Sequence, residues 1–169
     1  MKLIVVDVES DGPCPGLYSM VCFGAVVVEP GLNRTFYGKT NPISDKWDPE
    51  ALAISGFTRD QHLLFPEAKQ TIIEFKDWLE SLNDKTIFIS DNLAYDWQFI
   101  NYYFHLCCGK NPFGFSGRRI GDLYAGLHKD LKTRWKQFRK TTHDHNPVND
   151  AKGNAEAILK LKEFGVKGI

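Results

Sequence analysis

Five side chains in three separated patches of this chain could do chemistry: Asp7 and Glu9, then Asp96, then His145 with Asp150. In VVDVES the two carboxylates stand two residues apart, so an extended strand projects both from one face. Acidic side chains inside an apolar strand are costly unless a metal ion or a cationic partner compensates them. Taken alone, a D-x-E pair more often marks ordinary polar residues at a strand end; its setting among valines is what points to a divalent cation. Asp96, in SDNLAYDWQFI, falls at the start of a helical segment, where the helix dipole by itself also favours an acid. In HDHNPVNDAKGNAEAIL, His145 precedes Asp150 by five positions across a Pro-containing turn, which suits a proton acceptor beside a rigidly held carboxylate. His143 stands two residues before His145, and the H-D-H triplet is also compatible with zinc binding or with a plain polar loop.

The elements that position these residues are partly legible. Leu3 to Val8 is β-branched and too short for a helix, which suits a central strand covered on both faces. Tyr18–Val28 and Thr35–Gly38, separated by Glu29-Pro30-Gly31-Leu32-Asn33, extend it into an antiparallel meander. Residues 42–65 mix Pro, Asp, Gly and Trp with short helical runs such as Pro49–Ser55 and read as a surface connection. Pro66 at a first helical turn opens an amphipathic helix with Ile72, Phe75, Leu79 and Leu82 on one side. KTIFIS, Lys85–Ser90, reads as a buried strand, followed by an aromatic helix from Tyr95 to about Cys107 and a short strand around Arg118–Ile120. That order predicts a crossover onto a parallel neighbour. Further helices are expected through Phe138, and a last one from Asn149 or Asp150 to Gly165.

Composition narrows the class. With 169 residues, 43% of them hydrophobic, the chain suits one core, so one domain over 1–169 is expected. The 21 basic residues balance the 21 acidic ones, which argues against a protein that coats nucleic acid through bulk charge. A local basic run remains from Lys129 to Lys140. The four cysteines form no C-x-x-C pair and two are adjacent, so they read as reduced thiols of a cytoplasmic protein. MKLIVVDVES meets an acid after a short apolar run and is neither a signal peptide nor a span, so no membrane partner is expected.

The order D-x-E, a distant Asp before an aromatic, then His, four residues and Asp resembles the DEDDh branch of the DnaQ-like exonuclease superfamily, across residues 7 to 150. The resemblance implies an α/β, ribonuclease H-like fold: a mixed five-stranded sheet flanked by helices, with the carboxylates clustered near one edge. It implies two metal ions, Mg²⁺ with Mn²⁺ able to substitute: Asp7, Glu9 and Asp150 hold one, Asp7 and Asp96 the second. His145 is then the general base. Substrate contacts implied in the same way are Ser10, Ser19, Met20 and Asn92; Trp97 is either a stacking surface for a base or a core residue of its aromatic helix. Asp91-Asn92 stands where many members carry His-Asn, and DGPCPGLYSM replaces the usual short Thr- and Gly-rich sequence. That insert resembles a small bacterial and phage exoribonuclease branch. The expectation is a metal-dependent 3'-5' exonuclease on single-stranded RNA or DNA 3' ends, RNA favoured, releasing nucleoside 5'-monophosphates. The alternatives are a DNA-directed exonuclease and a non-catalytic nucleic-acid-binding module on the same fold. A homodimer is expected by family analogy only.

Overall fold

β1 (Lys2–Ser10) is the middle strand of a mixed five-stranded sheet. With β2 (Met20–Val27) and β3 (Thr35–Lys39) it forms the antiparallel meander, and on its other side β4 (Thr86–Ser90) and β5 (Gly117–Arg119) run parallel to it. The strand order is β3-β2-β1-β4-β5. A computed structural model of the chain describes residues 1–168.

The near-continuous apolar run of β1 is explained by helices on both faces. Ile4, Val6 and Val8 pack with Phe75 of α3 (Ala68–Ser81) and with Phe99 and Phe104 of α4 (Leu93–Cys108). Leu3 and Val5 point the other way, against Ala151, Ala155 and Ile158 of α6 (Pro147–Lys160). Asp7 and Glu9 continue the Leu3–Val5 series, so strand alternation aims both carboxylates toward the α6 side. Among the described residues no helix is long and apolar enough to cross a membrane.

Several boundaries differ from the sequence expectation, each for a local reason. The surface connection carries two short helices, α1 (Pro49–Ile54), capped by the Asp48 side chain, and α2 (Arg59–Leu63), closed by a Thr58–Gln61 capping box. Pro66 precedes α3 instead of lying inside its first turn. α4 starts at Leu93, two residues before the expected Tyr95, and β5 one residue before the expected Arg118. α6 starts at Pro147, because the Asn146 side chain accepts from the N–H groups of Val148 and Asn149 and Pro is well suited to a first position. Asp150 therefore lies inside the first turn and is not its cap. The helices expected through Phe138 stop at α5 (Ile120–His128), where Lys129 turns left-handed at φ 54; beyond it only a 3₁₀ turn at Lys136–Phe138 is regular before α6.

Candidate active site at the end of the central strand

Three elements bring the acidic side chains together. Pairing of β1 with β4 ends at Val5 and Ile89, which leaves the following stretch of β1 open on that side. Asp96, from the first turn of α4, fills the opening: its Oδ1 accepts the Val8 N–H at 3.1 Å. From the opposite face comes Asp150. Gly24, the β2 partner of Asp7, makes this approach possible, since a Cβ there would lie 2.3 Å from the carbonyl carbon of Pro147. The bare glycine lets the start of α6 rest on the sheet, and Asp7, Glu9 and Asp150 then offer oxygens all within 4.8 Å of one another.

So dense a group of acids holds protons far more tightly than free carboxylates do. Burial, then Asp96, Glu9 and Asp150, raises the Asp7 carboxyl well above its ordinary range. Burial and Asp150 push Glu9 up to about 7. Asp96 rises to about 8, chiefly through burial, with the Val8 N–H pulling back. Such shifts mark a cluster whose negative charge is only partly compensated, and oxygen-rich ligand sets of this kind suit hard divalent cations. Asp7, Glu9 and Asp150, with Asp96 beside them, are therefore the residues that could hold such ions.

The histidines reach the cluster from the irregular segment before α6. His145 adopts a left-handed conformation, φ 59, and its N–H donates to Asp150 Oδ2 at 3.2 Å. Its Nδ1 lies 3.5 Å from Glu9 Oε1. His143 is also present: its Nδ1 is 2.6 Å from Asp150 Oδ1, and the two imidazole centroids are 4.5 Å apart. The segment is tied to α6 by Glu156, whose carboxylate accepts from the N–H groups of Lys140 and Thr141 and from the Thr141 hydroxyl.

Sequence reasoning missed Arg139, which it counted only as one charge in a basic run. Its side chain is 10% exposed; Nη2 donates to Asp150 Oδ1 at 2.8 Å and Nη1 to Asn154 Oδ1 at 3.1 Å. Gly153 makes the room, because a Cβ there would lie 2.6 Å from Arg139 Nε. Lys136 likewise pairs with Asp91, at 3.0 Å, so two of the basic run's charges neutralise acids at the site. Gly24 was also missed, although an isolated glycine within an apolar strand is itself a signal of close backbone approach.

The expected substrate contacts are placed unevenly. Asn92 is exposed at the start of α4. Ser10 is buried, its hydroxyl donating to the Gly12 carbonyl and meeting the Tyr95 hydroxyl. Ser19 and Met20 are both fully buried. The Ser19 hydroxyl accepts from the Ile43 N–H, and the Met20 N–H donates to the Tyr103 hydroxyl while its side chain joins the core, so both brace the loop beneath the surface. Trp97 is half-buried and sets its ring edge-on to Phe88 at 5.2 Å.

No protein-family model matches the chain. Over 176 aligned residues it is 36% identical to the 3'-5' DNA exonuclease Cap18 of Escherichia coli, covering 97% of this chain and 93% of that protein. Among solved structures, a 3'-exonuclease described in 3'-end specific recognition of a histone mRNA stem-loop superposes with a TM-score of 0.77 at 17% identity, over 97% of this chain and 64% of that one. Escherichia coli exonuclease I in complex with a dA16 oligonucleotide superposes with a TM-score of 0.71 at 18% identity, over 96% of this chain and 40% of that one. These two structural likenesses establish the fold, and the chain spans two thirds or less of either protein. On the 36% identity to Cap18 across nearly the full length of both proteins, the chain belongs to the DEDDh, DnaQ-like superfamily of 3'-5' exonucleases.

Proposed function

We propose that this 3'-5' exonuclease, acting as one domain, shortens single-stranded DNA from its 3' end and releases nucleoside 5'-monophosphates. The observation that carries the reading is the convergence of Asp7, Glu9 and Asp150 within 4.8 Å, with Asp96 anchored on the same strand. DNA is preferred as substrate because the relative that matches nearly the whole chain acts on DNA. A second reading, RNA, rests on the DGPCPGLYSM insert and its likeness to small exoribonucleases.

The residues fit a pair of Mg²⁺ or Mn²⁺ ions: Asp7, Glu9 and Asp96, whose carboxyl pKa values are raised by burial, converge with Asp150 to supply hard oxygen donors and excess negative charge. Asp7, Glu9 and Asp150 would hold one ion and Asp7 with Asp96 the other. When bound, two such ions neutralise charge on the scissile phosphate and on the attacking and leaving oxygens. His145 acts as general base: with Nδ1 turned to Glu9, Nε2 is the nitrogen free to take the proton of the attacking water. Its hold on Asp150 through the backbone N–H keeps the imidazole in register with the acids.

End-labelled DNA and RNA oligomers incubated with Mg²⁺, Mn²⁺ or chelator test the proposal. The expected pattern is a ladder shrinking from the 3' end, faster on DNA, lost with chelator and in Asp7→Ala and His145→Ala. Internal cleavage, or a rate indifferent to Asp7, would refute it; binding without shortening would return the chain to the non-catalytic alternative.

A further inference from the structure

His143 is not used by the hydrolytic reading, yet it stands against Asp150 with its ring beside that of His145. His143, His145 and Asp150 each offer a ligand atom, and these three atoms lie within 4.8 Å of one another. We infer that these three side chains form a second kind of metal site, one that takes a borderline transition-metal ion such as Zn²⁺ and holds the enzyme inactive while occupied.

The donor set separates this site from the carboxylate cluster. Two imidazoles and one carboxylate suit Zn²⁺ and its neighbours, whereas Mg²⁺ seeks six oxygens. Zinc–nitrogen and zinc–oxygen bonds near 2.1 Å place tetrahedral ligands about 3.4 Å apart, so the three atoms, all within 4.8 Å of one another, need adjustments of only about an ångström, His143 and Asp150 parting slightly from 2.6 Å. Both imidazoles are free to do so, being 57% and 48% exposed on an irregular segment, while Asp150 is held by Arg139. The ion would replace the present contact of His143 with Asp150 Oδ1, and Glu9 or water would complete the shell.

Occupancy has a functional consequence that rests on the nuclease reading above. A His145 nitrogen committed to the ion draws the imidazole away from the attacking water, and an Asp150 oxygen is committed outside the acidic cluster without the side chain having to move. Zn²⁺ would then inhibit at fixed Mg²⁺ instead of substituting for it.

Binding is tested apart from catalysis. Protein stripped by chelation is titrated with Co²⁺, whose visible d–d absorption reports four-coordinate nitrogen and oxygen ligation. The expected result is a four-coordinate absorption band that depends on His143, is displaced by Zn²⁺, and weakens as Mg²⁺ competes for the shared Asp150. His143→Ala, at an exposed position where circular dichroism should be unchanged, should weaken binding at least about tenfold, since even outer-shell partners of metal ligands contribute that much. Asp96→Ala, outside the trio, should keep the band while abolishing hydrolysis. Equal Co²⁺ affinity in His143→Ala overturns the site. Hydrolysis unaffected by Zn²⁺ in protein that binds it overturns the inhibitory role. Wild-type protein inert with Mg²⁺ would instead sink the nuclease reading and leave the absorption result standing.

Discussion

Arg139 supplies the carboxylate cluster with a fixed positive charge, and its fork is satisfied on two sides, by Asp150 and by Asn154. Its charge also draws the Asp7 carboxyl back toward ionisation. Breaking a buried pair strands the remaining charge, so Arg139→Ala should lower the free energy of unfolding by about 3–5 kcal/mol in urea denaturation. Arg139→Lys should recover only part, because an ammonium cannot span both acceptors as a planar guanidinium does. Nothing in the sequence announces this pair: Arg139 stands eleven positions before Asp150, across an irregular stretch that ends only at the first turn of α6, and no periodicity bridges them. Asp7 and Glu9, by contrast, were legible from two-residue alternation alone, a property of any strand. That Ser19 and Met20 turn inward was not legible, because a family likeness does not say whether a side chain faces outward or inward.

The site depends on elements that meet without side chains between them. Gly24 of β2 lies opposite Asp7 and beneath the backbone of Pro147. Gly24→Val should push the first turn of α6 outward and carry Asp150 and the His145 N–H with it. A displacement near an ångström at reacting groups costs about a hundredfold in rate. The expected outcome is a loss of that order in 3' hydrolysis with far-ultraviolet circular dichroism retained; unchanged turnover would show that α6 is free to re-seat. At this scale the sequence was most informative: both halves of the mixed sheet and the three long helices were readable from apolar periodicity. The stretch from Lys129 to Asn146 was not, because it is held by single contacts, such as Glu156 to Thr141, which leave no repeating pattern.

Across the whole molecule, a second buried polar group steadies the loop that follows Glu9. Asp11 is fully buried, accepts from the Ser19 N–H and pairs with Arg59 at 2.9 Å, and His62 packs against the same carboxylate. Burial, aided by Arg59, lowers His62 to about 4. Its folded pKa lies below the ordinary value of 6.5, so the unfolded chain takes up the proton first, and this contribution to stability is lost as pH falls from 6.5 toward 4. His62→Gln removes that liability: the stability gap between variant and wild type, measured by urea denaturation with chelator present, should narrow between pH 7 and pH 5. A constant gap would mean that His62 does not titrate differently in the two states. The acids of the cluster add the opposite slope, Glu9 near 7 favouring the folded form at lower pH, which is why the difference between variants is the useful measurement. The arrangement of the acids has one further bearing, on biosynthesis. Asp7 and Glu9 lie on the first strand and Asp150 on α6, which follows all five strands along the chain. A nascent chain that has not yet emerged through α6 carries an incomplete ligand set, so the acids come together only once the sheet is already complete.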